Sequence, residues 1–207
     1  MYVLIHNNTV ITGPINWDYG MFVYALSKEN IQASVPSGIP SAMPFVIDEN
    51  TRICEYDESA PPEFNPKIQM TYGPFWDLTG DKAVASFLVK DKEIEFVKGD
   101  LKALTAAKRY EKEIAGTKVT IQGIEVTVDT NRGSRDIFVQ KYAIMNDGDT
   151  VKWKFPEGWL TINKTELGIA VNAGALYVQS CFDWESDKSD EIDSATTLQE
   201  LDAIVIE

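Results

Sequence analysis

NKTELGIAVNAGALYVQSCF, residues Asn163–Phe182, is the stretch on which the fold turns. Its apolar residues fall at Leu167, Ala170, Val171, Gly174, Val178, Cys181 and Phe182. That spacing predicts a helix with one stripe turned to a core. Asn163 opens it and Glu166 stands three residues on, the arrangement of a capping box. Gly168 and Gly174 lower helix stability by about 1 kcal/mol each against alanine, and they also permit close packing. An acidic run, Asp183-Trp184-Glu185-Ser186-Asp187, follows the apolar stripe.

Before this helix the chain divides by composition. Residues 1–98 read as a mostly β unit with one helix, and residues 99–207 as an α+β domain. Tyr2–Ile5 and Thr9–Ile11 form a hairpin around His6-Asn7-Asn8, with Gly13-Pro14 as its stop. Asp18–Leu26 is a short amphipathic helix. Phe45–Ile47 and Arg52–Tyr56 form a second hairpin. Pro61, Pro62 and Pro66 mark an extended connector. Lys67–Leu78, Ala83–Lys90 and Glu93–Val97 read as strands.

Asp100–Ala115 is rich in strong helix formers and ends at Gly116. A tight hairpin at Gln122-Gly123 follows, then a helix over Asn131–Met145. Val151–Phe155 alternates apolar and cationic residues, as a half-buried strand does, and Gly158–Ile162 is its neighbour. Thr197 with Glu200 caps a last short helix reaching Ile204.

The 207 residues carry 32 acidic against 19 basic side chains, a net charge of −13. That balance opposes contact with a phosphate backbone or an anionic membrane surface, and it suits a basic protein partner. No apolar run reaches the ~18 residues a membrane span needs. The N-terminus lacks the basic lead and long apolar run of a signal peptide, so the expected site of synthesis is the cytoplasm. Cys54 and Cys181 read as separate, reduced, buried thiols.

The residues give little chemistry. His6 is the only histidine, placed in a turn with no nucleophile near it in sequence. Two cysteines and one histidine, widely scattered, make no zinc site. Asp183 to Asp193 has the 1-3-5 oxygen spacing of a calcium loop. Yet Lys188 stands where glycine is required and Ser194 where glutamate is, so a solvated acidic face is expected. No cofactor, metal or catalytic residue is expected.

The conspicuous polar cluster is Asn131-Arg132-Gly133-Ser134-Arg135-Asp136. Two arginines at a helix start can hold an external carboxylate or phosphate. In so acidic a chain the favoured expectation is internal pairing of Arg132 and Arg135 with acids such as Glu113 or Glu185. Trp153, Phe155, Trp159, Tyr177, Phe182 and Trp184 are expected in the core, with an exposed subset as interface anchors. Gly73-Pro74-Phe75-Trp76 is expected as a buried bend, with a contact surface as the alternative.

From Arg109 onward the order of residues is distinctive. Arg109-Tyr110 and Glu113 come first, then Val128-Asp129-Thr130, the arginine cluster, Val151–Lys154, Trp159 with Thr161, and Glu166-Leu167. Val178-Gln179, Phe182, Glu185, Ile192-Asp193, Ala195–Thr197 and Leu201 complete it. Over about residues 109–207 this order resembles a domain of unknown function that recurs near the C-termini of tailed-bacteriophage tail-fibre and tail-associated proteins. The resemblance implies a structural component of the virion tail, in the baseplate, fibre or fibre-attachment region. It would act through contacts with other phage tail proteins and, by analogy with symmetric tail parts, as a homo-oligomer. The alternative it implies is a tail-fibre assembly chaperone absent from the finished particle. A glycan depolymerase would need two carboxylates converging in a cleft, and the sequence marks no such pair.

Overall fold

The computed structural model describes residues 1–207, which fold as two compact units, Met1–Lys92 and Glu93–Glu207. The architecture is α+β, with a β-rich first unit and a second unit built on a long helix.

In the first unit β1 (Tyr2–His6) turns into β2 (Thr9–Ile15) through Asn7 and Asn8, both at positive φ. Asparagine tolerates that left-handed backbone, and two such residues match the twist of a tight hairpin. Helix α1 (Tyr19–Lys28) begins where the Asp18 side chain accepts the Met21 N–H at 3.0 Å. Then come β3 (Phe45–Asp48), β4 (Thr51–Glu58), β5 (Gln69–Asp77) and β6 (Lys82–Asp91). The sheet runs β2-β1-β4-β6-β5, with β3 also on β4 and a parallel β4–β6 pair among antiparallel neighbours. Alternation along β1 sends Leu4 to one face with Ile53, Phe22 and Leu26, and Val3 and Ile5 to the other with Cys54 and Ala83.

Three expectations for this unit change. Gly13-Pro14 does not stop the hairpin, because β2 runs through it to Ile15. As an edge strand, β2 tolerates a proline without losing an inner ladder bond. His6 is not an exposed turn residue. It closes β1, half-buried, with Nδ1 2.9 Å from Thr51 Oγ1. Finally, Gly73–Trp76 is no buried bend. The β5–β6 register slips between Tyr72 and Phe75 around Gly73 at φ +149°, which leaves both aromatics exposed. Trp76 alone turns inward, edge-on to Tyr56 at 5.9 Å.

The second unit begins a few residues before position 98. Glu93–Val97 is the entry to helix α2 (Ile94–Ile114) and not a strand. Val97, Leu101 and Thr105 lie four apart on its buried stripe, so a helical period governs from the first turn. Then follow β7 (Thr117–Ile121), β8 (Ile124–Val128), α3 (Arg132–Ile144), β9 (Thr150–Phe155), β10 (Gly158–Asn163), α4 (Lys164–Ser194) and α5 (Leu198–Ala203). The strands form two separate hairpins, β7-β8 and β9-β10. Ile121, Val126, Val128, Phe138, Phe155, Ile162, Leu167 and Ala170 make the core between hairpins and helices. Cys54 and Cys181 are both free and buried, and that burial raises both thiols above their ordinary range.

Both expected capping boxes are formed, Asn163 with Glu166 and Thr197 with Glu200. Helix α4 outruns its apolar stripe by another three turns, and the acidic run is helical, not a loop. Most of its carboxylates face solvent, while Ile192 is fully buried and anchors the far end. Phe182 leaves the stripe at 42% exposure.

The two helix glycines predict opposite outcomes. A Cβ on Gly174 would meet Val128 Cγ1 at 3.6 Å and Thr130 Cγ2 at 3.9 Å, ordinary contact. A Cβ on Gly168 would sit 3.0 Å from the Tyr142 ring. Gly174→Ala should therefore stabilise by up to about 1 kcal/mol in urea unfolding, and Gly168→Ala should gain less or lose.

Candidate functional site

The C-terminal end of α2, the β8–α3 junction and the middle of α4 meet at one carboxylate. Glu113 is 1% exposed. Its Oε1 accepts from Arg135 Nη2 at 2.7 Å and its Oε2 accepts from Arg109 Nη1. Arg109 also donates through Nε to Glu185 Oε2 at 3.0 Å, and its guanidinium lies 4.7 Å above the Phe182 ring. A buried carboxylate is tolerable only when paired and hydrogen-bonded, and here both oxygens are taken by guanidinium groups.

Backbone ties hold the cluster in place. The buried Thr130 hydroxyl donates to Glu113 O at 2.5 Å and accepts from Gly116 N at 3.0 Å. Gly116, at φ +84°, lets this turn pass close to Val128 O, 3.1 Å from where a Cβ would stand. Asp129 accepts from Asn131 N at 3.1 Å and Ser134 Oγ at 2.9 Å, and Asn131 Oδ1 caps α3 by accepting from Ser134 N. Arg135 is thereby aimed from the first turn of α3 at the end of α2. From α4, Tyr177 Oη donates to Lys112 O at 2.9 Å, and burial raises this phenol.

Beside the cluster, α3 and α4 enclose an open groove of about 600 Å³. Val128, Phe138, Ala170, Gly174 and Val178 form its floor, and Val139 and Phe182 stand exposed at its rim. Small side chains on α4 hold the space open. Arg132, Asp136 and Gln140 give the rim a mixed polar character. Arg135 lines the groove as well, and its buried Nε has no hydrogen-bond partner.

The two arginines of the cluster part company here. Arg135 makes the expected internal pair, but Arg132 is exposed at the groove rim and pairs with no acid. The second arginine on Glu113 is Arg109, one helical turn back on α2. Its signal was present in the sequence, an Arg–Glu pair at i, i+4 on a predicted helix. Arg135→Ala should cost about 2 kcal/mol in chemical unfolding, by leaving Glu113 half-paired. Arg132→Ala should stay within about 0.5 kcal/mol of the parent chain.

The tryptophans do not converge on the groove. Trp184 is half-buried on α4 with Lys112 Nζ 5.0 Å from its ring, and Trp76 belongs to the other unit. Trp159, expected in the core or at an interface, is 59% exposed on β10. Its ring has Lys152 Nζ at 5.5 Å and Lys154 Nζ at 5.9 Å. Trp153 takes the core position, 4.4 Å from Phe138.

No helix is long and apolar enough to cross a membrane. No curated protein and no solved structure matches the chain. Residues 97–205 match a family model described as Domain of unknown function (DUF4376). That span runs from the first turns of α2 to the end of α5, so it takes in the whole Glu113 cluster and the groove. With more than half its length inside the match, the chain belongs to the DUF4376 family.

Proposed function

We propose that the chain is a structural component of a bacteriophage tail, in the baseplate, fibre or fibre-attachment region, working through contacts with other tail proteins. The observation that carries a contact role is the disposition of polar and apolar groups in the second unit. Its convergent charges, Arg109, Glu113, Arg135 and Glu185, are spent on one another. Its open groove offers an apolar floor with exposed Val139 and Phe182 beside it. Apolar surface rimmed by polar groups is what protein interfaces use. The tail setting comes from the ordered resemblance over residues 109–207. Among the many residues that carry it, Arg109, Glu113, Thr130, Arg135 and Glu185 belong to this one cluster.

Quantitative mass spectrometry of purified particles of the encoding phage tests the reading. A copy number matching the other tail proteins supports it. Absence from particles, with abundance in the infected lysate, overturns it in favour of an assembly chaperone.

A further inference from the structure

The β9-β10 hairpin carries a feature that the groove does not share. β9 pairs with β10 alone, so every second N–H and C=O on its other edge has no ladder partner. That edge opens on a cavity of about 470 Å³, bounded across from β9 by Thr127, Asp129, Ser134 and Ile137. Ile137 is 58% exposed there. At the hairpin turn Glu157 accepts from Thr127 N at 3.0 Å and Thr127 Oγ1 at 2.6 Å.

Charge is distributed unusually on this hairpin. Lys152 and Lys154 project on the same face as Trp159, which is the register partner of Lys154. Neither lysine pairs with a carboxylate, although the chain holds 32 acidic side chains. Both ammonium groups instead stand over one exposed indole. The opposite face of β9 carries Trp153 and Phe155, which join the core.

We propose that the open edge of β9 docks an extended segment of a partner protein that adds a strand beside it. The chemistry of that segment follows from the pleat. Residues on the Lys152–Lys154 face would be acidic at every second position, one opposite each lysine. The alternate residues would be apolar and would pack toward Ile137 and Phe138. Main-chain bonds along the edge supply affinity, and the alternating side chains supply specificity, as in other strand-addition complexes. The site rests on the contact reading only in taking a protein as its occupant.

A fluorescent ten-residue peptide alternating glutamate and valine, titrated against the full chain at physiological salt, tests it. At that ionic strength charges beyond about 8 Å are screened, so the local lysines outweigh the net charge of the chain. The peptide should bind, and the K152E/K154E chain, with an unchanged melt, should bind it about tenfold or more weakly. Proline at two central positions of the peptide should abolish binding by removing ladder donors. Amide exchange at Lys152 and Lys154 should slow on binding. No binding, equal binding of the proline peptide, or indifference to K152E/K154E would each overturn strand addition. A sulfated polysaccharide binding the lysines while the peptide does not would assign the patch to anionic glycan instead. Any of these failures leaves the tail assignment standing, since that depends on particle composition.

Discussion

Glu113→Ala is expected to destabilise the second unit by about 3 kcal/mol, the lower end of the range for removing one partner of a buried ion pair. Glu113 is 1% exposed, while the Arg109 and Arg135 side chains retain 15% and 28% exposure. Solvent can therefore rehydrate part of what the substitution leaves behind, which is why the lower end applies. Arg109 keeps Glu185 at 3.0 Å, but Arg135 loses its ion pair and its Nε is already without a partner. In a unit of this size the loss corresponds to a drop of roughly 10–20 °C in melting temperature. Glu113→Gln should fall between the parent and the alanine variant, since an amide keeps one acceptor and loses the charge. A melt unchanged within a degree or two would remove Glu113 from the centre of the fold.

Leu167→Ala is the second large effect, expected at about 2–5 kcal/mol. Leu167 is fully buried, the first inward residue after the α4 capping box, and packs in the cluster of Ile121, Phe138, Phe155 and Ile162. Its removal empties the point where both hairpins, α3 and α4 come together, and aromatic neighbours collapse poorly into such a space. Leu176 on the same helix is 62% exposed, and Leu176→Ala should stay within about 0.5 kcal/mol. Urea unfolding of the pair separates core loss from any general effect on helix formation.

Where local chemistry decides, the sequence was legible. Asn163 with Glu166 and Thr197 with Glu200 announce helix starts because a side chain and a backbone N–H three residues apart satisfy each other locally. The apolar stripe from Leu167 to Cys181 is periodic enough to fix a buried face. The end of α4 was not legible. Asp183 to Ser194 offers poor helix formers and no stripe, and the helix persists because Glu185 meets Arg109 and Ile192 reaches a core. Glu93–Val97 misled for the opposite reason, since a short β-rich run looks the same whether a strand or a helix entry follows.

The candidate site shows the same division. Arg135 to Glu113 was legible as charge matching in an acidic chain, but the choice of Arg109 over Arg132 depends on where α2 lies beside α3. Trp159 outside and Trp153 inside follow from the pleat of one hairpin, which the sequence shows only once the register is known. The open edge of β9 is wholly a matter of topology. Nothing in Val151–Phe155 says that its second neighbour is a cavity.

A double-mutant cycle on Glu113 and Arg135 tests most directly the claim that Arg109, Glu113, Arg135 and Glu185 form one structural lock. Unfolding free energies of the parent, Glu113→Ala, Arg135→Ala and the double variant would be compared. A coupling of about 1–3 kcal/mol is expected, with the double variant close to the worse single one. Additivity within about 0.5 kcal/mol would contradict it, and the cluster would then stand as a group held for something other than the fold.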